Sequence, residues 1–282
     1  MNMDEQELKN YQTLLNNRPI EDFENYSPNE MHYILYDTFH ENSVINFQDN
    51  PSQEILNQIP FLLQVKFLLN LIDKQGEIKL TSKGFLPTKI VSDIYSQGYL
   101  KDELIESGIN KLYKETDSDV VSLTRIISEI SGLARKSKGK LTLTKTAKEL
   151  LKGKKEFEIL KIIFIAFTRK FNWGYFDLFE NESIGQLGFG FTLILLDKYG
   201  DTYRTDEFYS EKYLKAFPFF REEVQPDYWT VEKEIYTCYS VRTFERFLNY
   251  FNFIELKKRK SRLESSEIKK TSVFDAIFRI EK

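Results

Sequence analysis

Residues 119–152, DVVSLTRIISEISGLARKSKGKLTLTKTAKELLK, carry the pattern that decides the fold. Leu123, Ile126, Ile127 and Ile130 recur at helical spacing and predict one apolar helix face. Gly132-Leu133-Ala134-Arg135 then leaves the helix as a strand, Lys136 to Lys140 turns the chain, and Leu141-Thr142-Leu143-Thr144 returns by strict alternation. Thr144, with Ala147 three residues on, is placed to cap a following helix.

The same order recurs on either side. Upstream, Ile55, Ile59, Leu62, Leu63, Phe67 and Leu71 predict an amphipathic helix ending near Gln75-Gly76, and Ile78-Lys79-Leu80-Thr81 predicts a short strand ending in a capping Thr. Downstream, Val241, Phe244, Phe247, Leu248 and Phe251 share a face, and Phe253-Ile254-Glu255-Leu256 reads as a strand. A basic excursion over 257–267 follows, and Ile268-Lys269-Lys270-Thr271 returns. Before all three, Ser27-Pro28-Asn29-Glu30 has the spacing of a capping box with proline at the first helical position, and residues 41–52 read as a loop. The expected fold is mainly α with small β-hairpin wings: tandem winged-helix-like units joined by a helical region. The expected segments are an acidic 1–50, unit one over 51–115, unit two with a helical extension over 116–205, and a third unit over 206–282.

A helix, a two-stranded hairpin with a charged tip and another helix resemble the second half of a winged helix-turn-helix unit. Ser131 through Thr144 is similar to the "GL, variable tip, LT, small residue" signature of many bacterial winged-helix regulators. Leu80-Thr81-Ser82-Lys83-Gly84-Phe85-Leu86-Pro87, the Gly132-to-Leu151 unit and Ser27-Pro28-Asn29-Glu30-Met31-His32 together resemble an uncharacterised group of bacterial proteins with paired units of this kind. The resemblance implies a recognition helix presenting Ser122, Thr124, Arg125 and Ser128, and a wing presenting Arg135, Lys136, Lys138 and Lys140. In the third unit it implies Arg242, Arg246 and Asn249 on the helix and Lys257, Lys258, Arg259 and Lys260 on the wing. Base readout by the second unit would be thin, since its helix offers one Arg, several hydroxyls and an opposing Glu129.

Charge is segregated along the chain. The net charge is −3, yet residues 1–60 hold eleven acids against Lys9 and Arg18, a net of −9, whereas residues 132–155 hold nine bases against Glu149, a net of +8. The basic stretch can be a solvated surface, a phosphate contact or a dock for an acidic surface, including the chain's own first 60 residues.

A chain of 282 residues, 41% apolar and 29% charged, has ample material for a core and is not a mostly disordered protein. Its 24 Phe and 16 Tyr are expected mainly at helix interfaces. A single cysteine, Cys238, cannot form an internal disulfide, which favours a cytoplasmic compartment. The acidic, polar residues 1–9 lack a signal-peptide pattern, and the apolar runs 162–167 and 187–196 are too short to span a bilayer.

No catalytic constellation, cofactor or metal site is expected. His32 and His40 have too few companions for a metal, and Cys238 among aromatics reads as a small buried hydrophobe. Gly185-Gln186-Leu187-Gly188-Phe189-Gly190 lacks the Lys-Ser or Lys-Thr of a phosphate loop and reads as the entry to a closely packed helix, with Trp173 and Trp229 expected in the core. Two functional classes remain: a regulatory protein that contacts double-stranded DNA through its wings, or an interaction module docking an acidic protein partner.

Overall fold

A computed structural model describes residues 4–226, 229–260 and 264–281. The chain divides into two compact units, named here by their place in sequence: a central unit, 50–172 with 250–252, and a flanking unit, 1–49, 173–249 and 253–282.

In the central unit the first long helix runs over Pro60–Gln75. It begins later than residue 55 because Pro60 occupies the first helical position, where its missing N–H costs nothing. Residues Gln53–Leu56 form a separate turn of helix capped by Ser52. Leu62, Val65, Leu68, Leu69 and Ile72 are fully buried, each contributing roughly 1.5–3 kcal/mol of apolar burial. After Gly76, at φ +76°, the strand Ile78–Lys79 does not form a hairpin of its own. It pairs antiparallel with Lys140–Leu143, which in turn pairs with Ala134–Ser137, so the sheet order is first strand, third strand, second strand. The segments expected as units one and two therefore share one sheet. Helices Thr88–Tyr95 and Asp119–Ile130 lie between first and second strands in sequence, and Lys145–Lys152 and Glu156–Arg169 follow the sheet.

The hairpin tip is Lys138-Gly139, with φ +49° and +71°. Positive φ at both central residues is what a two-residue type I′ connection requires, and it holds Ser137 opposite Lys140. Thr144 caps the next helix as expected, its hydroxyl accepting from the Ala147 amide at 3.2 Å. Thr81 does not cap a helix: its Oγ1 accepts from Phe85 N–H in a turn, and the following helix starts only at Thr88.

The flanking unit repeats the topology. Helix Phe189–Tyr199, strand Arg204–Thr205, helix Asp206–Ala216, helix Val231–Ser240 continuing through a π-helical stretch Val241–Leu248, and the hairpin Ile254–Lys257 with Glu267–Lys270 form the same order, again with strand order first, third, second. Both the capping box of Pro28–Tyr36, with Ser27 and Glu30 bonded reciprocally, and the Thr271 cap of Ser272–Ile277 are present. The segment expected as a loop over 41–52 contains a strand, Ile45–Phe47, paired with Phe278–Ile280. Three residues are too few for alternation to register in sequence.

Candidate nucleic-acid interface

The residues expected on an exposed recognition face of Asp119–Ile130 are buried. Thr124 and Ser128 are fully covered, Ser122 and Arg125 nearly so. Thr124 Oγ1 donates to the Val120 carbonyl and accepts from Gln64 Nε2 of the helix Pro60–Gln75, and Ser128 Oγ donates to the Thr124 carbonyl. Ser122 Oγ donates to the Glu115 carbonyl, while the Glu115 carboxylate, itself fully buried, accepts from Arg125 Nε at 2.7 Å and from the Leu86 amide at 2.6 Å. Glu129 takes Arg125 Nη1. Glu115, from the segment before this helix, and Gln64, from Pro60–Gln75, thus engage side chains a base edge would need.

The flanking unit does the same with different residues. Arg242 is fully buried in the π-helical stretch and donates through Nε and Nη2 to both oxygens of Asp177, at 2.9 and 2.8 Å, and through Nη1 to the carbonyls of Asn181 and Ile184. Arg246 reaches Asp177 Oδ2 at 3.2 Å and the Phe176 carbonyl at 2.9 Å, and Asn249 Nδ2 donates to the Glu245 carbonyl. Burial on its own would make the Arg242 guanidinium easier to deprotonate; the bidentate Asp177 carboxylate outweighs this and holds the proton more firmly than in water. Glu115 and Asp177 were not singled out by sequence. Each is one carboxylate in an irregular segment, without periodicity to mark it.

The two wings differ. In the flanking unit Lys257 pairs with Glu267 at 3.2 Å and sits 3.4 Å from the centre of the Tyr203 ring, and Lys258 pairs with Glu245 at 3.5 Å. Arg259 is half-buried and Lys260 exposed; residues 261–263 of the excursion lie outside the described residues. In the central unit Lys140 pairs with Glu77 at 2.9 Å, and Lys136, on the inner face opposite Leu141, donates to the Gly84 carbonyl at 3.0 Å. Gly84 has φ +82°, a backbone conformation that L side chains rarely adopt. Arg135, opposite Thr142 on the outer face, and Lys138, at the tip, are exposed and have no carboxylate partner among the described residues.

The exposed charge continues beyond the wing. Lys145, Lys148 and Lys152 share one face of Lys145–Lys152, at spacings of three and four, opposite the buried Ala147, and Lys154 and Lys155 follow. Among the described residues only Lys145 of these has a carboxylate within ion-pair reach, Glu149 at 3.9 Å, with both side chains largely in solvent. Lys145 and Lys148 stand in the first turn, which contains no acid, where the helix dipole disfavours cations and favours an incoming anion. These helix lysines were counted in the basic stretch but not named as contacts. Their placement against the dipole was the available signal.

Other expected features resolve simply. Gly185 N–H donates to Tyr213 Oη and Gly188, at φ +79°, precedes a helix whose residues 189–196 are buried. A Cβ on Gly190 would meet the Ile34 carbonyl oxygen at 2.5 Å, which is the close packing expected. His40 Nδ1 accepts from the Asn42 amide and its ring stacks on Tyr33, and His32 is exposed beside Tyr36. The described residues contain no group of three or more metal-ligating side chains. Cys238 is buried, and burial pushes its thiol up to about 12, so it is not a thiolate at neutral pH. Trp173 is in the core as expected, whereas Trp229 is 41% exposed and is not. Among the described residues no helix is long and apolar enough to cross a membrane.

The central unit is thus a mainly helical domain with a three-stranded winged sheet. Residues 57–156, which run from just before the helix Pro60–Gln75 to the first residue of Glu156–Arg169, match the family model described as Y4jL N-terminal domain. No curated protein and no solved structure matches the chain.

Proposed function

We propose that this chain is a winged-helix protein that contacts nucleic-acid phosphates through the wing and following helix of its central unit, without reading base sequence through either third helix. The observation carrying this reading is the run of exposed, unpaired cations Arg135, Lys138, Lys148, Lys152, Lys154 and Lys155 on one small unit. Phosphate contact needs cations free to neutralise phosphates and so release the counterions condensed on the duplex, and these qualify; Arg125 and Arg242, held by internal carboxylates, do not. The contact residues in this reading are narrower than the sequence implied. Lys140 is held by Glu77 and Lys136 donates to the Gly84 carbonyl, while Lys148, Lys152, Lys154 and Lys155 extend the exposed charge.

Fluorescence anisotropy of a labelled duplex across a salt series tests it. Log affinity is expected to fall linearly with log salt, and changing Arg135, Lys138, Lys148 and Lys152 to Glu is expected to abolish binding. No binding at low salt removes the proposal.

An interaction module is the second reading, favoured by one observation. Leu8, Tyr11, Leu14 and Leu15 on the helix Glu5–Asn16 are 46%, 50%, 68% and 42% exposed, and no residue of that helix is buried. The acidic surroundings do not by themselves make this segment a lid for the basic wing, since Glu24 is held by Lys198 and Lys212, Glu30 by its own helix cap and Glu5 by Lys9.

A further inference from the structure

The flanking unit contains a cleft of about 820 Å³ between residues 178–184, residues 224–226 and the helix Val231–Ser240. That volume is in the range of sites that enclose a small molecule. Its walls are mostly apolar: Phe179, Ile184, Val224 and Trp229 contribute, with Cys238 on the helix side.

Two carboxylates also line it, Glu180 and Glu234. Glu180 is exposed and Glu234 half-buried, and neither has an ion-pair partner among the described residues. Three neighbouring cations are engaged elsewhere: Arg242 and Arg246 hold Asp177, and Arg221 pairs with Glu232 at 3.4 Å; Lys233 is exposed and lines a separate small depression with Asp206 and Glu207. Burial and then the charge of Glu180 raise the Glu234 carboxyl above its ordinary value.

This arrangement selects a ligand class. An anion would meet two unneutralised carboxylates, and a metal ion would find, among the described residues, two such ligands in an apolar, tryptophan-lined setting. A cation on an apolar body satisfies both halves of the lining: the carboxylates receive the charge, the walls cover the body, and the lining includes the partly exposed Trp229, a residue type that attracts an ammonium. We propose that this cleft binds a small organic ammonium ion carrying an aromatic or alkyl body. The proposal does not depend on the phosphate-contact reading, which concerns the other unit.

The test uses the full chain and three probes of similar size: benzyltrimethylammonium, the neutral 3-phenylpropanol and the anionic 3-phenylpropionate. Binding is read by calorimetry and by Trp fluorescence, with Trp229→Phe to identify the responding ring. The ammonium is expected to bind at least tenfold more tightly than either isostere. Glu234→Gln and Glu180→Gln are each expected to weaken it several-fold while leaving the urea midpoint in place. Equal binding of the neutral probe, unchanged ammonium affinity in Glu234→Gln, or no ammonium binding at millimolar concentration would each overturn the proposal.

Discussion

The two units share a topology and differ in what their charges face. Each closes its third helix the same way, with an arginine locked to a carboxylate from an irregular segment: Arg125 to Glu115 in the central unit, Arg242 to Asp177 in the flanking one. Their wings diverge. Lys257 and Lys258 are neutralised by Glu267 and Glu245, whereas Arg135 and Lys138 face solvent and the lysines of Lys145–Lys152 extend the exposed charge. A shared fold therefore does not carry a shared surface, and function has to be argued from the surface.

The largest expected effect tests the closed helices. Asp177→Ala leaves Arg242 buried without its counter-charge and is expected to cost about 3–5 kcal/mol in urea unfolding. Glu115→Ala should cost less, about 2–3 kcal/mol, because Arg125 keeps Glu129 and is slightly exposed. The pair Asp177→Leu with Arg242→Met should recover most of the loss, since a packed apolar pair replaces two buried charges. A mild effect of Asp177→Ala would show the flanking helix is not closed as described.

Next comes the wing. Neutralising Arg135, Lys138, Lys148 and Lys152 to Gln is expected to flatten the slope of log affinity against log salt by about 3 to 4, whereas changing Lys257 and Lys258 to Gln should change it by less than about 1.

A smaller effect distinguishes the acidic segment. Burial alone raises the Glu24 carboxyl, but hydrogen bonds from Lys198, Lys212 and Tyr199 outweigh it and hold its pKa below the ordinary 4.5. Because the folded value is depressed, the stabilisation is complete above the unfolded pKa and disappears as pH falls through the folded one. Glu24→Gln should therefore lower stability at pH 7 by about 1 kcal/mol and be nearly neutral near pH 3, as read by denaturant melts at both.

The helices, caps and hairpins were legible because they rest on local spacing: Ser27 with Glu30, Thr144 with Ala147, and the alternation of Leu141 and Leu143. Pairing of Ile78–Lys79 with a strand some 60 residues on was not, because a two-residue strand carries no pattern and its partner is fixed by how Pro60–Gln75 packs. The candidate site was legible by half. Spacing located the basic stretch, but whether Ser122, Arg125 and Arg242 face water depends on Glu115 and Asp177, which covering segments supply from outside the helical pattern.

The most direct test titrates one labelled duplex, and a second of scrambled sequence, with three proteins at low salt: the wild type, the variant reversed at Arg135, Lys138, Lys148 and Lys152, and the variant reversed at Lys257 and Lys258. Equal wild-type affinity for both duplexes, lost in the first variant and retained in the second, is the expected result. Preference for one duplex, or loss only in the second variant, would contradict the account.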